Sequence, residues 1–218
     1  MTLIPKRPQP RSRAAVLLGW CLALTLCLLA FGVLATVALR PGVDAFDRSV
    51  TTQLHSAAGP TMDTVMHGVT SLGSTALLTA LVGVGALVLL RRRDHAEAAL
   101  LVTALVGTLV LNEALKVFFA RPRPALDWAE SVTGLSFPSG HAMNSFVVYV
   151  VLGLLILRWR GARVGVAALT LALVVATLVS ISRIYLGVHW ATDVAAGAVA
   201  GATYLLVLVP AWEVMRRD

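Results

Sequence analysis

Six long apolar runs constrain this chain more than any other feature of its sequence. The runs cover residues 14–39, 72–90, 96–119, 139–157, 164–186 and 191–212. Because a helix rises about 1.5 Å per residue, roughly 20 apolar residues cross a hydrocarbon core of about 30 Å. Charged residues make up only 13% of the chain, about half of the roughly 25% that a soluble domain carries. The sequence therefore predicts an all-α, polytopic membrane protein with six transmembrane helices.

The segments between these runs indicate one domain. Residues 1–218 contain no separate soluble domain, low-complexity linker or internal repeat, so we expect a single six-helix membrane domain. Outside the bundle we predict a basic cytoplasmic tail (1–13), an outer segment (40–71) and an outer loop (120–138).

The outer segment contains an amphipathic pattern. Phe46, Val50 and Leu54 recur every four residues, with charged side chains between them. This spacing favours a short interfacial helix lying on the outer leaflet. An ordered loop that covers the bundle is an equal alternative.

The distribution of basic residues predicts the orientation of the bundle. Most of the 18 Lys and Arg residues lie in the tail, in the turns at 91–93 and 158–163, and at the C-terminus. Cytoplasmic loops carry the excess of positive charge, so both termini are predicted to be cytoplasmic in a multi-pass protein of the cell membrane. The first run is longer than the apolar region of about 7–15 residues in a signal peptide, so we expect it to be retained.

The net charge of +7 does not indicate a nucleic-acid partner, because the basic residues lie in short clusters between apolar runs. The basic residues left on the outer side are Arg40, Arg48, Lys116, Arg121, Arg123 and Arg183. Lys116, Arg123 and Arg183 lie within or next to predicted spans, where charge is costly and usually functional. Each alone could reach the headgroups, but the three together with two histidines at similar depth indicate an anion site.

The first of these histidines, His141, lies at the predicted start of the fourth span. Ser139 is a favourable N-cap after Pro138. The N–H groups of Gly140 and His141 in the first turn have no partner within the helix, and such a helix start binds phosphate readily. We therefore include Ser139, Gly140 and His141 in the predicted anion site.

The second histidine, His189, precedes Asp193 by four residues at the start of the sixth span. We expect the two to share one helical face. A carboxylate at this spacing can accept the Nδ1–H of the imidazole, which leaves Nε2 free as a nucleophile. Phosphoryl transfer would then have His189 as the attacking group, assisted by Asp193, and His141 as the acid for the leaving oxygen.

The same residues make a metal or other cofactor unnecessary in this interpretation. The three side-chain cations would neutralise the phosphate oxygens, and the sequence has no acidic cluster suited to Mg²⁺. Water would release the phosphate from the phosphohistidine. We therefore predict metal-independent phosphatase chemistry.

Three motifs in this chain resemble those of the type-2 phosphatidic acid phosphatase superfamily. They are K-x6-R-P in KVFFARPRP (Lys116–Pro124), P-S-G-H (Pro138–His141) and S-R-x5-H-x3-D in SRIYLGVHWATD (Ser182–Asp193). The resemblance implies a membrane lipid phosphatase. It also implies that His189 is the nucleophile and Asp193 its partner. The phosphate pocket that it implies comprises Lys116, Arg123, Ser139, Gly140, His141 and Arg183.

The resemblance to prokaryotic members implies a substrate among four membrane lipids. These are undecaprenyl diphosphate, which we place slightly ahead, phosphatidylglycerol phosphate, phosphatidate and diacylglycerol diphosphate. A lipid phosphotransferase with the same site is one alternative. An anion transporter or non-catalytic binding protein is another, although it leaves both histidines without a purpose.

Two further charged residues lie beside the motif positions. Glu113 is one turn before Lys116 and is expected to satisfy it structurally, with tuning of the lysine by pairing as the alternative. Arg121 is expected to be a solvated loop residue, with contact to a second phosphate or a headgroup as the alternative.

Overall fold

The computed structural model describes residues 13–216 and consists there of eight α-helices without a strand. The helices are α1 (Arg13–Ala38), α2 (Val43–His55), α3 (Pro60–Ser71), α4 (Thr75–Arg91), α5 (His95–Phe119), α6 (Gly140–Arg160), α7 (Ala162–Tyr185) and α8 (Ala191–Met215). The predicted all-α membrane fold is confirmed. Apart from the backbone of Arg13, the predicted basic tail (1–13) lies outside the described residues.

Five of the helices, α1, α5, α6, α7 and α8, are long and apolar enough to cross a membrane. The second predicted span differs from the others. It corresponds to α4, which has 17 residues, and α3 precedes α4 across a bend of 43°. Counting this bent pair as one span brings the number of candidate spans from five to six.

The outer segment folds as two helices, α2 and α3, so the alternative of an ordered loop is wrong. Val50 and Leu54 of α2 pack against an apolar cluster at the outer ends of α6, α7 and α8. Phe46 instead is 60% exposed. The side of α2 that packs on the bundle therefore carries Val50 and Leu54 but not Phe46. Helix α3 begins at Pro60, whose fixed φ suits a first helical position.

Helix α6 lies at the centre of the bundle, packed against α5, α7 and α8. Its apolar side chains Val147, Val148 and Val151 are fully buried. Only Gly161 separates α6 from α7, and its φ of 76° lies in the left-handed region that favours glycine. The two helices therefore form a tight antiparallel hairpin.

The up-and-down order brings the predicted site residues to one end of the bundle. The C-termini of α5 and α7 and the N-termini of α6 and α8 lie there, joined by the segments 120–139 and 186–190. The ends of the longer segment are tied together, since Ser136 N–H donates to the Arg121 carbonyl at 2.8 Å. The His55 ring also stacks on Trp128 at 3.6 Å, which ties this segment to α2.

We expect Gly165→Ala to destabilise the protein, because a methyl group there would lie 2.3 Å from Cα of Leu157 across the α6–α7 hairpin. The cost should be about 1–3 kcal/mol, more than the gain of about 1 kcal/mol in helix propensity. Thermal unfolding in detergent measures it. Gly83→Ala is the control, because a methyl group at Gly83 meets nothing within 4 Å. Equal effects of the two substitutions on Tm would contradict this packing.

Candidate active site

The start of α6 carries a serine hydroxyl, that of Ser139, that is free to bind a ligand. Ser139 is the N-cap, as predicted, but its side chain makes no capping hydrogen bond. Within the described residues its buried Oγ has no hydrogen-bond partner. Its backbone is held instead, because Ser139 N–H donates to the Asp193 carbonyl at 3.0 Å. The α6 terminus thus has a fixed backbone, a free hydroxyl and unpaired first-turn N–H groups, the features that suit an anion.

Close packing with α5 fixes this helix start. Asn112 Nδ2 donates to the Pro138 carbonyl at 3.2 Å. A methyl group at Gly140 would lie 2.8 Å from Asn112 Oδ1. Gly140 is therefore required for the approach of the two helices, in addition to its predicted contribution of an N–H group.

His189 and Asp193 lie together, but not through helical periodicity as predicted. Helix α8 starts at Ala191 with Trp190 as N-cap, so His189 belongs to the preceding turn. That turn is held by α7, since His189 N–H donates to the Arg183 carbonyl at 3.3 Å. Asp193 is at the third helical position, where it accepts a hydrogen bond from Trp190 N–H at 2.9 Å. His189 Nδ1 is 3.6 Å from Asp193 Oδ2.

The neighbours of His189 determine its tautomer. Arg123 Nη1 is 3.3 Å from His189 Nε2. A guanidinium group only donates hydrogen bonds, so Nε2 is the acceptor and the ring proton is on Nδ1. On that side Ser136 Oγ lies 3.4 Å from Nδ1 and donates to Asp193 Oδ2. Ser136 therefore bridges the imidazole and the carboxylate.

Two arginines present buried donors to the same region. Arg123 Nη1 also donates to the Val188 carbonyl at 2.8 Å, and Arg183 Nη1 donates to Thr70 Oγ1 of α3 at 2.8 Å. In each guanidinium, Nη1 is therefore held by a hydrogen bond to a protein oxygen. The Nε atoms of both are buried and have no partner within the described residues.

Lys116 and His141 complete the predicted set. Lys116 Nζ pairs with Glu113 at 3.1 Å. His141 lies within reach of the charges of Lys116, Arg123 and Arg183. At the α3–α4 bend, a methyl group on Gly73 would lie 3.2 Å from the His141 ring, so this bend packs closely on the imidazole.

The expectation that Arg121 is a solvated loop residue is wrong. Its side chain is 4% exposed and is held by three groups. Nη1 donates to Asp193 Oδ1 at 2.6 Å and to Thr192 Oγ1 at 2.7 Å, and Nη2 donates to Asp47 Oδ2 at 2.8 Å. Both terminal nitrogens are therefore paired with protein groups.

Sequence reasoning missed four polar residues around the site, namely Asp47, Thr70, Ser136 and Thr192. One signal could have found Asp47. Asp47, Val50, Thr51 and Leu54 follow the spacing i, i+3, i+4, i+7 of a single helical face, and all four are buried or half-buried. A carboxylate on the inward face of an amphipathic helix requires a buried partner, which Arg121 supplies.

The electrostatics of the site keep His189 neutral. The pKa of His189 is lowered from the ordinary 6.5 to about 4, mainly by burial and also by the charges of Arg123 and Arg183, against the opposing effect of Asp193. Neutral imidazole is the form that can act as a nucleophile. In the described part of the chain no group of three or more His, Cys, Asp and Glu side chains could hold a metal ion.

Comparison with known proteins agrees with this arrangement. Residues 97–217, more than half of the chain, match the PAP2 superfamily. The chain is 35% identical over 173 residues to phosphatidylglycerophosphatase B of Bacillus subtilis (strain 168), covering 77% of this chain and 83% of that protein. It is 34% identical over 125 residues to the undecaprenyl-diphosphatase of Sulfolobus acidocaldarius, covering 55% and 57% respectively.

Two crystal structures have a similar fold. One is the first transmembrane PAP2 type phosphatidylglycerolphosphate phosphatase from Bacillus subtilis, with a TM-score of 0.82 and 29% identity over 88% of this chain and 96% of that one. The other is Aquifex aeolicus LpxE, with a TM-score of 0.58 and 26% identity over 73% and 93%. The protein is thus a multi-pass membrane phosphatase, a phosphoric ester hydrolase. It belongs to the PAP2 superfamily, as the three motifs predicted.

The geometry predicts that His189 remains neutral, with its proton on Nδ1, until the pH falls to about 4. Since the folded-state pKa is lowered, the imidazolium form should accumulate only below that value. Nitrogen-15 NMR of histidine-labelled protein in detergent measures the tautomer and the midpoint, with His189→Gln to assign the signal. A midpoint near 6.5, or an Nε2–H tautomer, would contradict the burial and the contacts described above.

Proposed function

We propose that this protein hydrolyses the phosphate of a membrane lipid through a phosphohistidine at His189. One observation carries the proposal. Among the buried side-chain donors that lack a partner within the described residues, three belong to the predicted site: Ser139 Oγ, Arg123 Nε and Arg183 Nε. They accompany two histidines at one end of the bundle. Buried donors are normally satisfied, and a phosphate group would satisfy all three.

The first chemical step uses the contacts of His189. Arg123 touches Nε2, so a phosphate bound to this arginine has its phosphorus next to the attacking nitrogen. Nε2 forms a bond to phosphorus as the lipid oxygen leaves, and the imidazole becomes positively charged. Asp193 and Ser136 on the Nδ1 side stabilise this charge. Cations around the equatorial oxygens stabilise the charge that is spread over them.

His141 serves the leaving group in this proposal. It belongs to the helix whose first turn receives the phosphate, and it donates a proton to the lipid oxygen as that bond breaks. Water then attacks phosphorus and releases inorganic phosphate from His189, with His141 taking the proton of the water. No step requires a metal ion, since Lys116, Arg123 and Arg183 supply the positive charge.

Phosphatidylglycerol phosphate is the substrate that the relatives favour. A Bacillus phosphatase named for this lipid is the more extensively aligned relative in sequence, and a Bacillus phosphatidylglycerolphosphate phosphatase is the more similar of the two structures. Undecaprenyl diphosphate, placed ahead on sequence alone, is the second candidate, because the Sulfolobus relative that carries this activity aligns over a shorter part of the chain. The site contacts described here recognise phosphate, which both lipids provide.

The site is proposed to face the outside, with both termini in the cytoplasm and the chain forming one six-helix domain. The turns at 91–93 and 158–163 lie at the opposite end of the bundle from the site and carry the clustered arginines. The positive-inside rule assigns that end to the cytoplasm. The outer segment (40–71) and outer loop (120–138) then cover the site at the level of the lipid headgroups.

The catalytic proposal predicts that purified protein releases phosphate from phosphatidylglycerol phosphate in EDTA, and that His189→Ala lowers kcat by on the order of 10³-fold or more. Phosphate release is measured in parallel with undecaprenyl diphosphate, phosphatidate and a water-soluble phosphoester, which ranks the substrates. Rapid quenching in alkali with labelled substrate tests for a phosphohistidine.

His95→Ala is the matched control, because His95 is exposed at the other end of the bundle. It should retain wild-type activity. Loss of activity in EDTA with recovery in Mg²⁺ would disprove the metal-independent mechanism. Full activity of His189→Ala would disprove the nucleophile.

The orientation predicts which side of the membrane labels a cysteine. With Cys21 and Cys27 replaced by alanine, Asp127→Cys in the outer loop should react with an impermeant maleimide on intact cells. Arg92→Cys, in the turn between α4 and α5, should react only after permeabilisation. Both positions are exposed on the protein surface, so a difference in burial would not explain a difference in labelling. The reverse labelling pattern would overturn the proposed orientation.

A further inference from the structure

We propose that Arg121 and Asp47 are positioning residues for the reaction: together they hold the Asp193 carboxylate against the imidazole of His189. The inference rests on the proposed role of His189 as nucleophile. Neither residue occupies a specified position of the three motifs described above. Arg121 lies inside the first motif, at one of its unspecified positions, and Asp47 lies in α2.

The Asp193 carboxylate is held at both oxygens. Oδ1 accepts from Arg121 Nη1 at 2.6 Å. Oδ2 accepts from Trp190 N–H at 2.9 Å and from Ser136 Oγ, and it is the oxygen that faces His189 Nδ1. Rotation of the carboxylate would break the contact with Arg121. The guanidinium therefore fixes which oxygen is presented to the imidazole.

Asp47 in turn holds Arg121 and the start of α8. Its Oδ2 accepts from Arg121 Nη2 at 2.8 Å and from Thr192 Oγ1 at 2.6 Å. Its Oδ1 accepts from Thr192 N–H at 3.0 Å. A carboxylate is favourable at the N-terminus of a helix. Asp47 is fully buried and thereby ties α2 to the residue next to Asp193.

The charges explain why two carboxylates are needed. If Arg121 paired with Asp193 alone, the guanidinium would cancel most of the negative potential that Asp193 exerts at His189. Asp47 balances Arg121, so the buried group of Asp47, Arg121 and Asp193 keeps a net negative charge. That charge favours the positively charged imidazole formed when Nε2 bonds to phosphorus. The arrangement thus orients Asp193 without neutralising it.

The position of Arg121 argues against direct contact with substrate. It touches Asp193 on the Nδ1 side of His189, whereas the reacting phosphate lies at Nε2 next to Arg123. Both of its terminal nitrogens are bound to protein groups. A positioning residue should therefore affect kcat with little change in KM, whereas loss of a phosphate contact should also affect KM.

Two variants test the proposal by kinetics at a fixed ratio of lipid to detergent. Arg121→Lys keeps the charge but cannot bridge two carboxylates. Asp47→Asn keeps the size but removes the balancing charge, and it serves if Arg121→Lys fails to fold. Each should lower kcat by roughly 10- to 100-fold, as loss of the partner of a functional histidine typically does, and change KM less than about threefold.

Arg158→Lys is the matched control, because Arg158 forms an ion pair with buried Glu97 at 3.2 Å at the opposite end of the bundle. It should change kcat less than about twofold. Thermal unfolding of each variant separates loss of fold from loss of rate. A lower Tm with unchanged kcat for Arg121→Lys and Asp47→Asn would mean that the pair only ties α2 to α8, and would overturn the proposal.

A double-mutant cycle gives the sharpest test. If Arg121 acts through Asp193, Arg121→Lys should cost less than about threefold in an Asp193→Asn background, against 10- to 100-fold in the wild type. Equal costs in both backgrounds would overturn the proposal.

A second readout does not require activity and so separates this inference from the proposed function. Nitrogen-15 NMR of His189 should show the Nδ1–H tautomer in the wild type and a mixture of tautomers in Arg121→Lys. An unchanged tautomer would overturn the positioning role. If the wild type shows no His189-dependent phosphate release but its tautomer responds to Arg121→Lys, the proposed function fails and the positioning role stands.

Discussion

The burial of Asp193 organises the end of the bundle that holds the site. A carboxylate at this depth is stable only when its oxygens are hydrogen-bonded and its charge is compensated. Here the compensating groups come from different elements: Arg121 and Ser136 from the two ends of the outer loop, and the Trp190 N–H from the start of α8. Because Arg121 also needs a second carboxylate, α2 is drawn into the same network through Asp47. The hydrogen bonds and ion pairs that compensate Asp193 and Arg121 therefore hold the loops in place and also arrange the site.

The arginines of this region divide into two kinds by their hydrogen bonds. Arg121 has both terminal nitrogens paired with carboxylates and belongs to the support of the site. Arg123 and Arg183 are each fixed at one end by a neutral oxygen, and their buried Nε atoms have no partner among the described residues. A buried cation without a carboxylate is costly in a protein interior. Its retention suggests a ligand that supplies the negative charge.

The same division bears on the rival interpretation of an anion pathway. A pathway requires cations that bind an anion weakly and release it. It does not require an imidazole whose tautomer is fixed by Arg123 on one side and by Ser136 and Asp193 on the other. Nucleophilic catalysis by histidine requires a neutral imidazole whose attacking nitrogen carries the lone pair, which is the tautomer with the proton on Nδ1. The geometry around His189 therefore favours a phosphatase on its own, independently of the relatives.

Local patterns in the sequence predicted much of this structure. The apolar runs gave the helices of the bundle, since burial in lipid depends mainly on length and composition. The motif residues Lys116, Arg123, Ser139, Gly140, His141, Arg183, His189 and Asp193 were found by chemistry and spacing, and the structure places them at one end of the bundle. Arg121 was assigned wrongly, because its environment depends on Asp47, a residue 74 positions away in sequence. The inward side of α2 depends on the same contact: Phe46 is apolar but exposed, and Asp47 is charged but buried.

The bend between α3 and α4 could not be foreseen from hydropathy, yet it has a structural reason. Gly73 packs so closely that a methyl group there would lie 2.4 Å from Val179 of α7. The glycine therefore allows the bend to contact α7. The turn brings Thr70 to Arg183 on the phosphate side of the site. On the other side, α2 brings Asp47 to Arg121. The two helices of the outer segment thus each hold one part of the site: α3 contacts Arg183, which we propose to bind phosphate, and α2 supports Asp193 beside the proposed nucleophile. A segment that connects two spans can in this way determine whether the motif residues it covers are correctly arranged.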